Sequence, residues 1–321
     1  MTVTPKKRRV GLAPSSGLGR LGGMLLVVWG AATVGFFALR LIPGDPVDVM
    51  LGVHANVSEA VRAQIRADWG LTEPLFLQYT NYLGRLLRGD LGTSYRLQQP
   101  VVDVIGQQVT PTIQLMALAM VFALALAISS AMLARGRRSR AVLSFLELFA
   151  VSSPTFWTGL VLITVFSFGL HWFPIAGTDG FLALVLPAAT LAIPVAGIIS
   201  QVLRQGLDSA SVMPFADTAR ARGVGHAGLL FRHTLRHAAA NSITLTGYIV
   251  GSLLGGSVLV ETVFARQGLG RVALDAIMNR DIPIVLGVIV LAAAVFAVIN
   301  LLIDLAYSLL DPRLRIAERD A

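Results

Sequence analysis

Few residues in this chain are able to do chemistry, and their spacing argues against catalysis. Lysine occurs only as Lys6 and Lys7, whereas a P-loop needs a lysine after its second glycine to reach the nucleotide phosphates. No Walker A site is available, so nucleotide hydrolysis that drives this protein would belong to other subunits. GLGRLG at Gly17 to Gly22 has the glycine spacing of a dinucleotide fingerprint. No strand pattern precedes it and a long apolar run follows, so the context that makes the fingerprint work is missing. Cysteine is absent, which removes thiol chemistry, disulfides and cysteine-ligated metal. His233 and His237 lie four apart and would share a helix face, a geometry that can hold a metal, but a third ligand is lacking unless His226 folds back across Gly228. There is no HExxH and no nucleophile with an evident His and Asp partner. The acids well inside apolar runs are Glu147 and Asp304. Each lies seven residues from a charge at the end of its run (Arg140, Asp311), about 10 Å of helix, so both can reach headgroups. A proton-driven transporter would more often carry such a group near the midplane. The expectation is a non-enzyme with neither cofactor nor metal.

What remains is a concentration of charge. Residues 204–237 carry five arginines, three histidines and two acids between long apolar runs, so the segment lies on a membrane face and does not cross it. Pro214 suits the first turn of a helix, where its missing N–H would be unpaired anyway. The helix PFADTARAR would stop at Gly223, where a residue without Cβ turns the chain at little steric cost. Phe215, Ala219 and Arg222 then fall on one side, with Ala216 beside them. One bulky apolar plug among small side chains fits a groove on a partner protein. A basic amphipathic loop resting on anionic headgroups has the same composition.

The elements around this segment are set by hydrophobicity. At 55% hydrophobic and 14% charged residues, the chain lies outside the soluble norm of about 25% charged. Six runs lack Asp, Glu, Lys and Arg: Leu21 to Leu39, Val104 to Ala134, Leu148 to Thr178, Gly180 to Leu203, His237 to Val260 and Ile282 to Ile303. A spanning helix needs roughly 20 residues, so each run predicts one span. The KKRR at Lys6 to Arg9 before the first run resembles a signal peptide, but that run is long and lacks a small-residue cleavage pattern. It reads as the first span.

With the N-terminus inside, Lys6 to Arg9, Arg20, the arginines of ARGRRSR, those of 204–237 and Arg313, Arg315 and Arg319 all lie on one side. The positive-inside rule places that side, with both termini, in the cytoplasm. The net charge of +8 then needs no nucleic acid to explain it. The predicted organisation is a basic tail at 1–19, a first span at 20–42, an external segment at 43–103, a core at 104–310 and a second tail at 311–321.

Other local signals add detail. In the external segment Ser58 precedes a helix whose Val61, Ile65 and Trp69 recur every four residues up to Gly70, and LFLQYTNYLGRLL predicts another. The pair forms either a solvated cap or a docking face. Pro154, in SSPTFWTG, must kink or start a helix. Pro154, Phe156 and Trp157 are either structural or part of a transport pathway. Pro187 and Pro194 fall on nearly one face of the fourth run. Gly247, Gly251 and Gly255, with Gly256 adjacent, make a smooth groove that admits a close helix or faces a pathway.

Several stretches resemble one family. Asp217-Thr218-Ala219, then Gly223, then His233-Thr234-Leu235-Arg236, is similar to the EAA loop of ABC importer permeases in its peptide and nickel form, TARAKG followed by HxLRNA. Asp217 stands where the general motif has Glu, and His237 where the branch usually has Asn. LIPGDP at Leu41 to Pro46 resembles the same branch, as does the run Leu71, Pro74, Gln78, Tyr79, Tyr82, Leu83, Gly89 to Gly92, Ser94, Pro100 and Val101. SxPxFWxG, an ETIFxxPGLG turn with Gln267 in place of proline, and the NLLIDLAYSLLDPRLR terminus complete the likeness, which spans about residues 20 to 316.

The resemblance implies an all-α membrane protein with six transmembrane helices in the type I ABC importer permease fold and a small helical external segment between helices 1 and 2. It implies a second homologous permease subunit, two cytoplasmic ATPase subunits and an external substrate-binding protein. The ATPase-coupling residues would be Phe215, Asp217, Thr218, Ala219, Arg220, Ala221, Gly223, His233 and Leu235. Pro154, Phe156, Trp157, Gly251 and Gly255 would line the pathway. The cargo would be a dipeptide or oligopeptide, or alternatively nickel or another small chelated solute; an ion-coupled secondary transporter is the competing class. A reporter enzyme inserted beside Arg222 is expected to be active only in the cytoplasm, and periplasmic activity would overturn the orientation.

Overall fold

The computed structural model describes residues 17–41, 46–51, 58–134, 136–177, 180–211, 218, 222–224, 228 and 235–310. Among them every element is helical, apart from a single bridge between Thr93 and Pro100. The helices are α1 (Gly17–Arg40), α2 (Pro46–Leu51), α3 (Glu59–Asp68), α4 (Leu75–Leu86), α5 (Val101–Leu133), α6 (Arg137–Ser152), α7 (Thr155–Leu162), α8 (Leu182–Ser211), α9 (Leu235–Val263), α10 (Leu269–Met278) and α11 (Ile282–Leu310). The glycine-rich GLGRLG run is simply the first turns of α1.

By length and apolarity α1, α5, α8 and α11 are able to cross a membrane, and α6 with α7 makes a fifth crossing if the bent pair counts as one span. Helix α9 contributes the shorter apolar stretch Ile249–Val263. The third predicted span, Leu148 to Thr178, is not one rod. Its helix begins earlier, at Arg137, ends at Ser152, and restarts at Thr155 after a bend of 106°. The cause is local: Pro154 has no N–H to continue α6, and both Ser153 and Pro154 adopt extended conformations with ψ 130°. Beyond α7 the chain winds into a π-helix over Ile163–Gly169.

The core is built on small residues. Leu115, Ala119, Ala123, Ala127 and Ala131 recur every fourth position of α5 and all are buried. The first three pack with Ala188, Leu191, Ala192, Val195 and Ala196 of α8, and Ala131 meets Leu203 one end further along. Alanine at this spacing lets two backbones approach closely, the way helices associate where lipid supplies no hydrophobic drive. Helix α9 joins this cluster through Ile249, Leu253 and Val260, and at Gly256 a Cβ would lie 2.8 Å from Leu191 Cδ2. Helix α11 closes on α5 at Gly287, where a Cβ would lie 2.7 Å from Val101 Cγ1. Its other face carries α1 through Ala32, Phe36, Leu286 and Val290, with Tyr82 of α4 stacked on Phe36 at 5.4 Å.

The α3–α4 segment departs from expectation in two ways. Ser58 occupies the N-cap of α3, but its side chain makes no capping bond; its carbonyl accepts the N–H groups of Val61 and Arg62. No residue of α3 is buried, and Val61 is 45% exposed, so the apolar spacing does not mark a core face of this chain. Trp69 instead sits edge-on to Tyr95 at 5.3 Å, and the chain turns at Gly70 with φ +65°. In α4 the Tyr82 hydroxyl is buried with no partner among the described residues, and burial pushes its pKa up to about 12. Replacing Ala123 by Leu is expected to overpack the α5–α8 seam and cost about 1–3 kcal/mol. The measurement is the Tm of the purified chain, which Ala123→Ser should leave nearly unchanged.

Candidate functional site

Of the predicted coupling residues, Phe215, Asp217, Ala219, Arg220, Ala221 and His233 lie outside the described residues, as does His226. Thr218, Arg222 and Gly223 are described, and all three are exposed. The Arg222 N–H donates to the Thr218 carbonyl at 3.2 Å, one helical turn, and Gly223 follows with φ +76°. That left-handed conformation carries a steric cost for any residue with a Cβ, which is why glycine ends the turn. Leu235 opens α9. At the other end the predicted loop begins inside a helix: residues 204–211 are the last two turns of α8.

The predicted pathway residues fall into two groups. Pro154 occupies the N-cap of α7, and Phe156 and Trp157 follow on its first turn, about half exposed. Trp157 meets Phe149 of α6 edge-on at 6.2 Å, so the aromatic pair bridges the bend. Helix α7 touches α9 one turn later, where a Cβ at Gly159 would lie 3.3 Å from Phe264 and 3.4 Å from Val263. Of the α9 glycines, Gly256 makes the close approach to α8. A Cβ at Gly251 would only touch Phe296 at 3.8 Å, and one at Gly255 would meet nothing within 4 Å. The expected smooth groove is therefore half used: Gly255 leaves an open face.

Among the described residues three buried carboxylates hold this arrangement together, of which the sequence had singled out only Glu147. Glu261, at the end of α9, is fully buried. Its carboxylate accepts Thr112 Oγ1 at 2.6 Å and the N–H groups of Gly270 and Arg271 at 2.8 and 3.1 Å. Those N–H groups open α10, so the negative charge sits on the positive end of that helix. Thr112 also accepts the Leu269 N–H at 2.9 Å, which ties α5 into the same cap. A Cβ at Gly268 would lie 2.1 Å from Glu261 Cδ, and one at Gly270 would lie 2.4 Å from Val258 Cα. The GLG of this turn is required by that contact. Nearby Arg266 is buried, with Nε and Nη1 unpaired among the described residues; burial lowers its guanidinium pKa against the opposing pull of Glu261.

Asp281 does the same work at the start of α11. It accepts the Ser94 hydroxyl and the N–H groups of Tyr95 and Arg96 at 3.1 and 3.3 Å. The Gly-Asp-Leu-Gly-Thr-Ser stretch is thereby fastened to α11, with Gly89 and Gly92 both at positive φ and Asp90 accepting the Gly92 N–H at 2.8 Å. The third carboxylate, Glu147, does not reach toward headgroups as its position suggested. It is buried and paired with Arg204 of α8. The side chain of Asp304 lies outside those described.

Residues 123–316, from the middle of α5 to beyond α11, match the model of a binding-protein-dependent transport system inner membrane component. The chain belongs to that family. It is 37% identical over 291 residues to a probable peptide ABC transporter permease of Sinorhizobium fredii, covering 87% of this chain and 92% of that one. It is 35% identical over 313 residues to a glutathione transport system permease of Pectobacterium atrosepticum, covering 96% and 97%. A putative peptide transport system permease of Brucella abortus is 34% identical over 310 residues, covering 93% and 98%. The chain is an ABC importer permease, a transport subunit and not a catalytic one. Replacing Glu261 by Ala strands the Thr112 hydroxyl, the buried Gly270 N–H and the half-buried Arg271 N–H, and is expected to cost about 3 kcal/mol. Melting of the purified permease should show the loss, with Glu261→Gln intermediate.

Proposed function

We propose that this permease forms half of the translocation pathway of an ATP-driven importer of dipeptides or oligopeptides. The reading is carried by end-to-end likeness to proteins named peptide permeases, at 34 to 37% identity over more than 290 residues. Its partners are a second, homologous permease, two cytoplasmic ATPases and an external binding protein that delivers the peptide. Six spans cross the inner membrane with both termini inside: α1, α5, α7 with its π-helix, α8, α9 and α11. The α2–α4 segment faces outward.

Coupling runs through the cytoplasmic segment between α8 and α9. Phe215 and Ala219 enter a groove on the ATPase, while Asp217, Thr218, Arg220 and Ala221 surround them. Gly223 turns the chain, and His233 and Leu235 lead it back into α9. The turn from Thr218 to Arg222 ending in left-handed Gly223 supports a short helix there. Closure of the ATPases on ATP displaces this helix and rocks the spans. The peptide passes beside Pro154, Phe156, Trp157, Gly251 and Gly255, and the unoccupied face at Gly255 is where the second permease or the cargo fits. Such a complex needs no ion gradient. In the complete reconstituted importer, Phe215→Asp and Ala219→Asp are each expected to lower ATPase stimulation by peptide-loaded binding protein about tenfold or more. Undiminished stimulation, or gradient-driven uptake by this chain alone in liposomes, would overturn the reading.

A further inference from the structure

Among the described residues helix α6 is held almost wholly by α8. Its ties are polar and regularly spaced. Arg140, Ser144 and Glu147 of α6 fall on one face, and so do Ser200, Arg204 and Asp208 of α8. Arg140 pairs with Asp208 at 3.2 Å, and Arg204 Nη1 donates to Ser144 Oγ at 3.1 Å. Glu147 pairs with the second Nη of Arg204 and accepts the Ser200 hydroxyl, and it also accepts the Ser130 hydroxyl of α5 at 2.9 Å. Above these ties the helices come closest at Gly197, where a Cβ would lie 2.7 Å from Val151 Cγ2 and 3.0 Å from the Glu147 carbonyl oxygen. The two helices are thus zipped antiparallel from Val151 to Arg140. The opposite face of α6, with Val142, Phe145, Leu146 and Phe149, is exposed.

The zip sits in a particular place. Ser200, Arg204 and Asp208 are on the last turns of α8, immediately before the segment read above as the ATPase contact. At its other end α6 is joined to α7 by Ser153 and Pro154 and bridged by the Phe149–Trp157 pair, a break that no continuous helix stiffens and that bends the chain by 106°. A displacement entering at the end of α8 must therefore carry α6 with it, and the first place able to absorb rotation is the Pro154 bend.

We propose that Glu147 and Arg204 are positioning residues which weld α6 to the cytoplasmic end of α8 into one lever, so that ATPase motion reaches α7 through the Pro154 hinge. This rests on the coupling reading given above. The natural chain has no cysteine, so the tie is replaceable by a reversible covalent one, for example Arg140→Cys with Asp208→Cys joined by a short bifunctional methanethiosulfonate. The test uses the complete importer, with any exposed partner cysteines removed. Glu147→Gln with Arg204→Gln removes both charges together and avoids a lone buried ion. The ratio of stimulated to basal ATPase, and transport per ATP, are expected to fall about tenfold in this double variant. Crosslinking 140 to 208 should restore both, which a loss of folding alone would not allow. In the otherwise unaltered permease the crosslink should leave transport intact. Wild-type coupling in the uncrosslinked double variant, or transport blocked by the crosslink and regained on reduction, would overturn the lever. If the double variant does not assemble, the crosslink in the unaltered permease decides alone. ATP-dependent transport before crosslinking reports separately on the importer reading itself.

Discussion

The structure depends on one constraint: a charge or a backbone donor withdrawn from water inside a bilayer has to find its partner within the chain. Three carboxylates meet it, and each does so by joining elements distant in sequence. Glu261 links the end of α9 to the start of α10 and, through Thr112, to α5. Asp281 links the start of α11 to the turn after α4. Glu147 links α6 to α8 and α5. Each of these acids accepts three hydrogen bonds from neighbouring donors. What a secondary transporter would use for chemistry is used here for fastening.

The second structural device is the small side chain. Where two helices must approach without any hydrophobic gain from leaving water, the available energy is close packing. The alanine stripe of α5, Gly197 and Gly256 and Gly287 each mark a place where a neighbour sits at the position of the missing atoms. The same residue types elsewhere behave differently. Gly255 is one residue from Gly256 and has nothing beside it. The periodicity that selects a groove is therefore blind to which neighbour fills it.

This explains how much was legible in the sequence. Of the six uninterrupted apolar runs, four correspond to membrane-length helices, α1, α5, α8 and α11, because the bilayer fixes their minimum length. Pro154 was readable as a break since its missing N–H acts locally, whatever surrounds it. The turn at Gly223 was readable for the same reason. By contrast, Val61, Ile65 and Trp69 have helical spacing and no core to face, because amphipathicity records that one side differs and not that the difference is buried within the same chain. Glu261 was legible only as the acid that begins the ETIFxxPGLG-like turn. The available signal was its spacing from Gly268 and Gly270, which begin a helix whose N–H groups need an anion. Glu147 was placed by its distance from Arg140 along one helix, and its true partner, Arg204, lies on another.

The distribution of fixed and free surfaces argues for a subunit that works as part of a larger body. Helix α5 is buried along the alanine stripe, α8 is covered by α5, α6 and α9, and the end of α9 and the start of α11 are anchored by Glu261 and Asp281. Against this rigid centre stand the outward face of α6, the open face at Gly255 and the half-exposed Phe156 and Trp157. Such apolar surface in a lone soluble chain would be a liability, but in a membrane it is the ordinary boundary with lipid or with a second helical bundle. The break at Pro154 lies beside those open faces, whereas the π-helix that follows α7 reaches the buried centre through Ile163. At Pro154 helical hydrogen bonding is thus interrupted outside the seam of α5 and α8. Under the lever proposed above, motion entering at the end of α8 would be taken up first at that break.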